Sequence, residues 1–136
     1  MDKIVENIAE VVLAVENQDE AISLFEDLFG LEFKEGWDMP MYDMRVKAAR
    51  VGNTMFQIVA STSPAPDAFI TKYIKDRGEG LHHIAFNVSN LDETVARLKE
   101  RGVRLIPEEP VGVGGMRFIF VHPKSVHGVL IELLGQ

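Results

Sequence analysis

Four polar side chains interrupt otherwise apolar stretches, and their types are those that bind divalent metal ions. They are Glu10, Gln57, His83 and Glu132. Glu132 is the most informative, because every other residue of positions 129–134 is apolar. A carboxylate in such a run is costly to bury unless it is paired, reaches a solvated cavity or binds a metal.

An internal repeat relates the four positions. Residues 10–15 match residues 83–88, and each segment is followed by an Asn that can cap a helix, Asn17 and Asn90. Gln57 and Glu132 then occupy similar places in the last strand of each copy. Because one such unit rarely buries its apolar face alone, the repeat predicts two strand-helix-strands modules packed as a pseudo-twofold structure.

These side chains could meet in a cleft if the two sheets curve toward one another. Their oxygen and imidazole donors, with no sulfur, suit Zn²⁺, Co²⁺, Ni²⁺, Mn²⁺ or Fe²⁺. Spacing alone leaves a second interpretation open, in which the four are unrelated polar residues at strand edges.

Hydrophobic periodicity predicts the elements that would position these residues. The first module, residues 8–60, is expected to hold a strand at 8–15, a helix from Asn17, a strand at 31–33, a loop or flap at 35–41, and a hairpin of 44–51 and 55–60. A linker and a short helix follow at 61–78. The second module, residues 80–135, is expected to hold a strand at 81–88, a helix from Asn90, a strand at 103–106, a glycine-rich loop at 107–115, and a hairpin of 116–121 and 128–134.

The first helix should have one apolar face. The residues at that spacing are Ala21, Leu24, Phe25, Leu28 and Phe29, and the pattern predicts that they pack against a sheet.

Composition narrows the class of protein. A chain of 136 residues with 46% hydrophobic content suits a single domain over residues 1–136 and excludes disorder of the whole chain. The net charge of −7 argues against nonspecific nucleic-acid binding. The absence of cysteine removes disulfides and thiolate metal sites. With no apolar run of membrane-spanning length and no leader, we expect a soluble, cytoplasmic protein without membrane partners.

Beyond the repeat, two motifs resemble those of the methylmalonyl-CoA epimerases, a family in the glyoxalase or vicinal oxygen chelate superfamily. They are GEGLHHIAF at residues 78–86, and HPKS at 122–125 followed by GVLIEL at 128–133. The resemblance covers essentially the whole chain. It implies an α+β fold in which two βαβββ modules form a cupped mixed sheet around one divalent ion (Co, Mn, Zn, Ni or Mg). Carried over by motif, the metal ligands are Glu10, Gln57, His83 and Glu132.

The resemblance also implies a reaction: exchange of the α proton of an acyl-CoA thioester through a metal-stabilised enolate. Glu132 is then the candidate base, Lys124 and Ser125 are candidate contacts for CoA, and the protein is expected to be a homodimer.

The chain departs from its relatives at two positions. The epimerases usually have His at the first ligand position, where this chain has Glu10. Some place a catalytic glutamate where this chain has Val46, so the second proton-transfer group is unassigned.

Two other functions stay open on the sequence alone. One is a glyoxalase I-like lactoylglutathione lyase, and the other is a non-enzymatic small-ligand-binding protein of the bleomycin-resistance type. An extradiol dioxygenase would need two histidines and one carboxylate around iron, and Glu10 argues against it.

The two remaining histidines, His122 and His127, are interpreted as structural or exposed.

Overall fold

The computed structural model describes residues 3–113 and 115–136. The chain forms two compact units. The first unit is Val11–His82, and the second unit joins Glu10 and the residues before it to His83–Gln136. Strand β1 (Val5–Ala14) therefore contributes residues to both units.

In the first unit, two helices accompany three further strands. The elements are α1 (Gln18–Phe29), β2 (Glu35–Met39), β3 (Met44–Val51), β4 (Thr54–Ser61) and α2 (Phe69–Arg77). The strand order is β2-β3-β4-β1, and β3 is antiparallel to both β2 and β4. The core consists of alternate residues of these strands together with one residue of α2: Val12, Ala14, Val46, Val59 and Ile70.

The second unit contains one helix and four strands in addition to the start of β1. The elements are β5 (Gly80–Val88, of which only the residues from His83 belong here), α3 (Leu91–Glu100), β6 (Leu105–Val113), β7 (Met116–Val121) and β8 (Ile131–Gly135). The strand order is β5-β8-β7-β6, with β8 parallel to β5 and antiparallel to β7. The sheet is thus mixed, and the predicted α+β fold class is confirmed.

The two helix starts have the same geometry. The Asn17 side chain accepts a hydrogen bond from the Glu20 backbone N–H at 3.0 Å, and Asn90 accepts one from Glu93 at 3.0 Å. Each Asn side chain thus pairs with a backbone N–H that has no acceptor within its helix. α1 ends as predicted at Gly30, whose φ of 68° is the left-handed conformation that glycine adopts without strain.

Two stretches were assigned wrongly from the sequence. Residues 31–33, predicted as a strand, are not one, and β2 occupies most of the predicted flap at 35–41. Pairing with β3, which places Trp37 opposite Val46, overrides the poor strand propensity of Gly36 and Asp38. Similarly, β6 extends through most of the loop predicted at 107–115, of which Gly114 lies outside the described residues.

Two prolines explain why residues 107–115 were predicted as a loop. Pro107 and Pro110 lie within β6, which among the described residues pairs with β7 alone, with a register shift between Ile106 and Val111. A strand that pairs on one side, and irregularly, tolerates residues without a backbone N–H.

The predicted packing of the α1 apolar face is wrong in large part. No residue of α1 is buried, and Leu24, Leu28 and Phe29 are each more than half exposed. Phe25 has a ring contact with the sheet, 5.2 Å from Phe56 between centroids. Helical spacing identifies residues that share a face, but it does not say whether another element covers that face.

The compact units do not coincide with residues 8–60 and 80–135, because the start of β1 groups with the second unit. The modules therefore stay a prediction about the internal repeat. Among the described residues, no helix is long and apolar enough to cross a bilayer.

Candidate active site

Three strands of the second unit bring together two carboxylates and an imidazole. Glu10 comes from β1, His83 from β5 and Glu132 from β8, and one potential ligand atom from each lies within 4.8 Å of the other two. The structure thus unites three of the four residues that the repeat selected.

His83 and Glu132 form the most enclosed pair of this cluster. His83 Nε2 lies 3.4 Å from Glu132 Oε1, and the two side chains are only 12% and 11% exposed. The Phe120 ring meets the His83 ring edge to face, with 5.4 Å between centroids. The aromatic contact restricts the orientation of the imidazole and limits water access on that side.

Strand alternation explains why Glu132 points into this cluster. Its neighbours in β8, Ile131 and Leu133, pack with the core that α3 covers. Because successive side chains in a strand point to opposite faces, Glu132 lies on the other face. Its partners across the sheet there are Ala85 and Phe120.

The donor set fits a divalent cation. Two carboxylates held within 4.8 Å of each other and of an imidazole repel one another unless positive charge lies between them. Carboxylate oxygen and imidazole nitrogen are the ligands that zinc and the neighbouring first-row ions accept, and carboxylate oxygen also suits magnesium.

Gln57 belongs to the first unit, where it lies on β4 and is 5% exposed. Its Nε2 donates a weak hydrogen bond to Met55 Sδ, with 3.7 Å between the two atoms. Its predicted role as a metal ligand stays a prediction.

Lys124 and Ser125 lie in a 3₁₀ turn, Pro123–Ser125, that follows β7. Ser125 Oγ accepts a hydrogen bond from the Arg104 backbone N–H at 3.3 Å, and His122 Nδ1 accepts one from the Lys124 backbone N–H at 3.1 Å. Both residues are exposed.

The adjacent histidines of β5 point to opposite faces, as strand alternation requires. His82 is 7% exposed, and its ring lies 4.4 Å from Tyr73 and 5.4 Å from Phe69 between centroids. It is a packed residue of the first unit, whereas His83 joins the carboxylates of the second.

Sequence reasoning did not select Arg104, which lies directly before β6, and it treated His122 as structural or exposed. The structure places the two opposite each other, because the His122 backbone N–H donates to the Arg104 carbonyl at 2.8 Å. Phe118, Phe120 and His122 are spaced by two residues, so a strand through them places all three side chains on one face. This spacing is the sequence signal that could have assigned His122 to the face of the site.

Known proteins resemble this chain in both sequence and fold. Residues 10–120 match the Glyoxalase/Bleomycin resistance protein/Dioxygenase superfamily. The chain is 31% identical to the mitochondrial methylmalonyl-CoA epimerase of Mus musculus over 90% of its own length and 69% of that protein. The chain is a methylmalonyl-CoA epimerase-like member of this superfamily.

Solved structures of the superfamily share the fold over nearly the whole chain. The methylmalonyl-CoA epimerase of Mycobacterium tuberculosis matches with a TM-score of 0.87 at 30% identity, over 99% of this chain and 91% of that one. A variant of the Streptomyces coelicolor methylmalonyl-CoA epimerase in complex with 2-nitronate-propionyl-CoA matches with a TM-score of 0.86 at 28% identity, over 97% of this chain and 95% of that one.

Proposed function

We propose that this chain is a divalent-metal-dependent methylmalonyl-CoA epimerase, or a relative acting on another acyl-CoA with an acidic α proton. The observation that carries the proposal is the convergence of Glu10, His83 and Glu132 within 4.8 Å. Similarity to epimerases over 90% of the chain supports the same function.

Glu10, His83 and Glu132 would hold the metal ion, with Gln57 the predicted fourth ligand. A divalent ion supplies Lewis acidity, which lowers the cost of negative charge on the substrate's carboxylate and thioester oxygens. The low exposure of His83 and Glu132 keeps water away from them, which strengthens the electrostatic interactions of both groups.

Glu132 is the residue that removes the proton from the carbon between the carboxylate and the thioester. A carboxylate within reach of that carbon serves as a general base, and the contact with His83 orients it. Epimerisation also needs a proton returned to the opposite face. Gln57 has no useful basicity, so the donor of this proton is either Glu10, protonated and only loosely held by the metal, or a water molecule.

The substrate proposal draws on solved relatives. The Streptomyces coelicolor enzyme is complexed with 2-nitronate-propionyl-CoA, and another methylmalonyl-CoA epimerase is complexed with methylmalonyl-CoA and NH4+. Lys124 and Ser125 are proposed to contact the CoA part of the substrate.

The homodimer and the cytoplasmic location stay predictions. Sedimentation of the purified protein tests whether it is a homodimer.

Deuterium exchange tests the proposed reaction. Methylmalonyl-CoA incubated in D₂O with metal-loaded protein should gain deuterium at C2, as followed by mass spectrometry against the non-enzymatic rate. Protein stripped of metal should fall to that background rate. Absence of exchange above background with the loaded protein rules out the epimerase function, and exchange that survives complete metal removal rules out the metal dependence.

A further inference from the structure

One face of the second unit's sheet runs from the candidate metal ligands to a group of basic residues. Glu132 pairs with Phe120, and Phe120 pairs with Ile106. Directly paired residues of neighbouring strands have their side chains on the same face of a sheet. His122 and Arg104, which follow and precede these positions by two residues, continue that face.

The basic group consists of Arg104, His122 and Lys124. Arg104 is held opposite His122 by the backbone hydrogen bond from His122, and its own N–H donates to Ser125 Oγ. Lys124 is held by its N–H bond to His122 Nδ1. Burial lowers the pKa of His122, and the positive charges of Arg104 and Lys124 lower it further, so both cations lie near the imidazole.

The ion pairs of the described residues do not include these two cations. Six other basic side chains form ion pairs: Lys34, Arg45, Arg50, Lys72, Lys99 and Arg117. Neither Arg104 nor Lys124 forms one with any residue that the structure describes. In a chain of net charge −7, two neighbouring cations left unpaired create a local field that attracts an anion.

We propose that Arg104 and Lys124 bind the phosphate groups of the CoA substrate at this end of the site face. The inference rests on the proposed function and adds residues to it. The guanidinium group matches two phosphate oxygens, and the ammonium group adds a point charge. His122 lies two residues from Phe120, roughly 7 Å along the strand, so the two ends of the face lie within the reach of a pantetheine arm.

A double variant, Arg104→Gln with Lys124→Gln, tests the proposal. Both side chains are exposed and the hydrogen bonds of both residues are made by backbone atoms, so we expect the fold to persist. The matched control is Lys3→Gln with Lys75→Gln, which changes the net charge equally at two exposed cations elsewhere. Thermal melts establish that all three proteins are folded.

The decisive readout compares two substrates. For methylmalonyl-CoA we expect the KM of the Arg104/Lys124 variant to rise about tenfold or more at unchanged kcat, because charge-assisted phosphate contacts are lost. For methylmalonyl-pantetheine, which has no phosphate, the KM should match that of the wild type. A similar KM for methylmalonyl-CoA in variant and wild type, or an equal rise in the control, overturns the proposal.

Binding of CoA alone separates this proposal from the proposed function. By calorimetry, the wild type should bind CoA more tightly than pantetheine or inorganic phosphate, and the Arg104/Lys124 variant should lose that preference. Wild-type protein that binds CoA in this way without catalysing exchange contradicts the epimerase function but supports the phosphate site. Wild-type protein that catalyses exchange with no preference for CoA over pantetheine contradicts the phosphate site alone.

Discussion

Glu132 combines a carboxylate with a nearly closed environment, 3.4 Å from an imidazole and beside an aromatic ring. In such surroundings a charged group persists only with a compensating cation or hydrogen bonds. An apolar residue would pack into this strand at lower cost, so a carboxylate at this position indicates chemistry rather than stability.

Glu132→Gln should reduce activity far more than stability. Glutamine keeps a carbonyl oxygen for a metal but cannot accept the α proton, so kcat for exchange should fall roughly 100-fold or more. Thermal melts and metal analysis should stay close to wild type. Glu100→Gln, on the exposed end of α3, is the control and should leave kcat unchanged. Near-normal turnover of Glu132→Gln with metal retained would exclude Glu132 as the base.

Glu10→His should change the metal preference. With Glu10 and Glu132 as ligands the site carries two formal negative charges, and the substitution leaves one. The dianionic site favours harder ions such as Mn²⁺ or Mg²⁺ more than the usual epimerase site does, so the variant should shift toward Zn²⁺ or Co²⁺. Competition binding with paired metals on both proteins measures this shift. An unchanged preference would mean that Glu10 does not coordinate the ion.

Residue types and spacing predicted much of the site. The repeat selected Glu10, His83 and Glu132, and the structure brings them together. Arg104 could not be found in this way, because a lone arginine before a strand is common on protein surfaces. Arg104 matters because it lies opposite His122 on the neighbouring strand. The sequence of one segment does not show which residue of another strand will lie opposite it.

At the scale of elements, the two Asn caps fix where α1 and α3 begin. In α3 the Asn90 backbone carbonyl also accepts hydrogen bonds from both the N–H and the hydroxyl of Thr94, which adds to the side-chain cap. The caps were predictable because the hydrogen bond is local and needs no tertiary contact.

Asn90→Ala should lower the free energy of unfolding by about 1 kcal/mol, since the Glu93 N–H loses its acceptor. Ser89→Ala, at the adjacent exposed residue, is the control and should change stability little. Urea unfolding followed by circular dichroism measures both. Equal stability of Asn90→Ala and the wild type would show that water replaces the cap without cost.

Strands β2 and β6 were not predictable from their own residues. Glycine, aspartate and proline are unfavourable in isolated strands, and both segments owe their conformation to a neighbouring strand. Propensity describes one segment, whereas a sheet is stabilised by pairs of segments. The hairpin of β3 and β4, by contrast, was predicted nearly to the residue because its turn, Gly52-Asn53, lies within the segment itself.

For the whole molecule, metal removal should lower thermal stability. An ion that binds only the folded chain stabilises it in proportion to the logarithm of its free concentration over its Kd. We expect about one divalent ion per chain by elemental analysis, a Tm that rises on titration with Co²⁺, Mn²⁺ or Zn²⁺, and reversal by chelator. Occupancy well under half after incubation with these ions, without any change in Tm, would contradict a metal site.

The fold class of the whole chain was predictable because the repeat and the motifs span nearly all of it. The division into compact units was not, because it depends on the partition of β1, whose first residues group with the second unit and whose last residues group with the first. A single continuous strand gives no indication in its sequence of such a partition.

The irregular strand β6 has a consequence for how copies of this protein behave at high concentration. A strand with a free side offers a template on which another chain can add, and this is a common route to aggregation. The strand β6 contains two prolines that lack donors, two exposed acidic residues, Glu108 and Glu109, and an irregular register. Each feature disfavours the addition of a further strand. A Glu108→Val, Glu109→Val variant should therefore scatter light in concentrated solution long before the native sequence does.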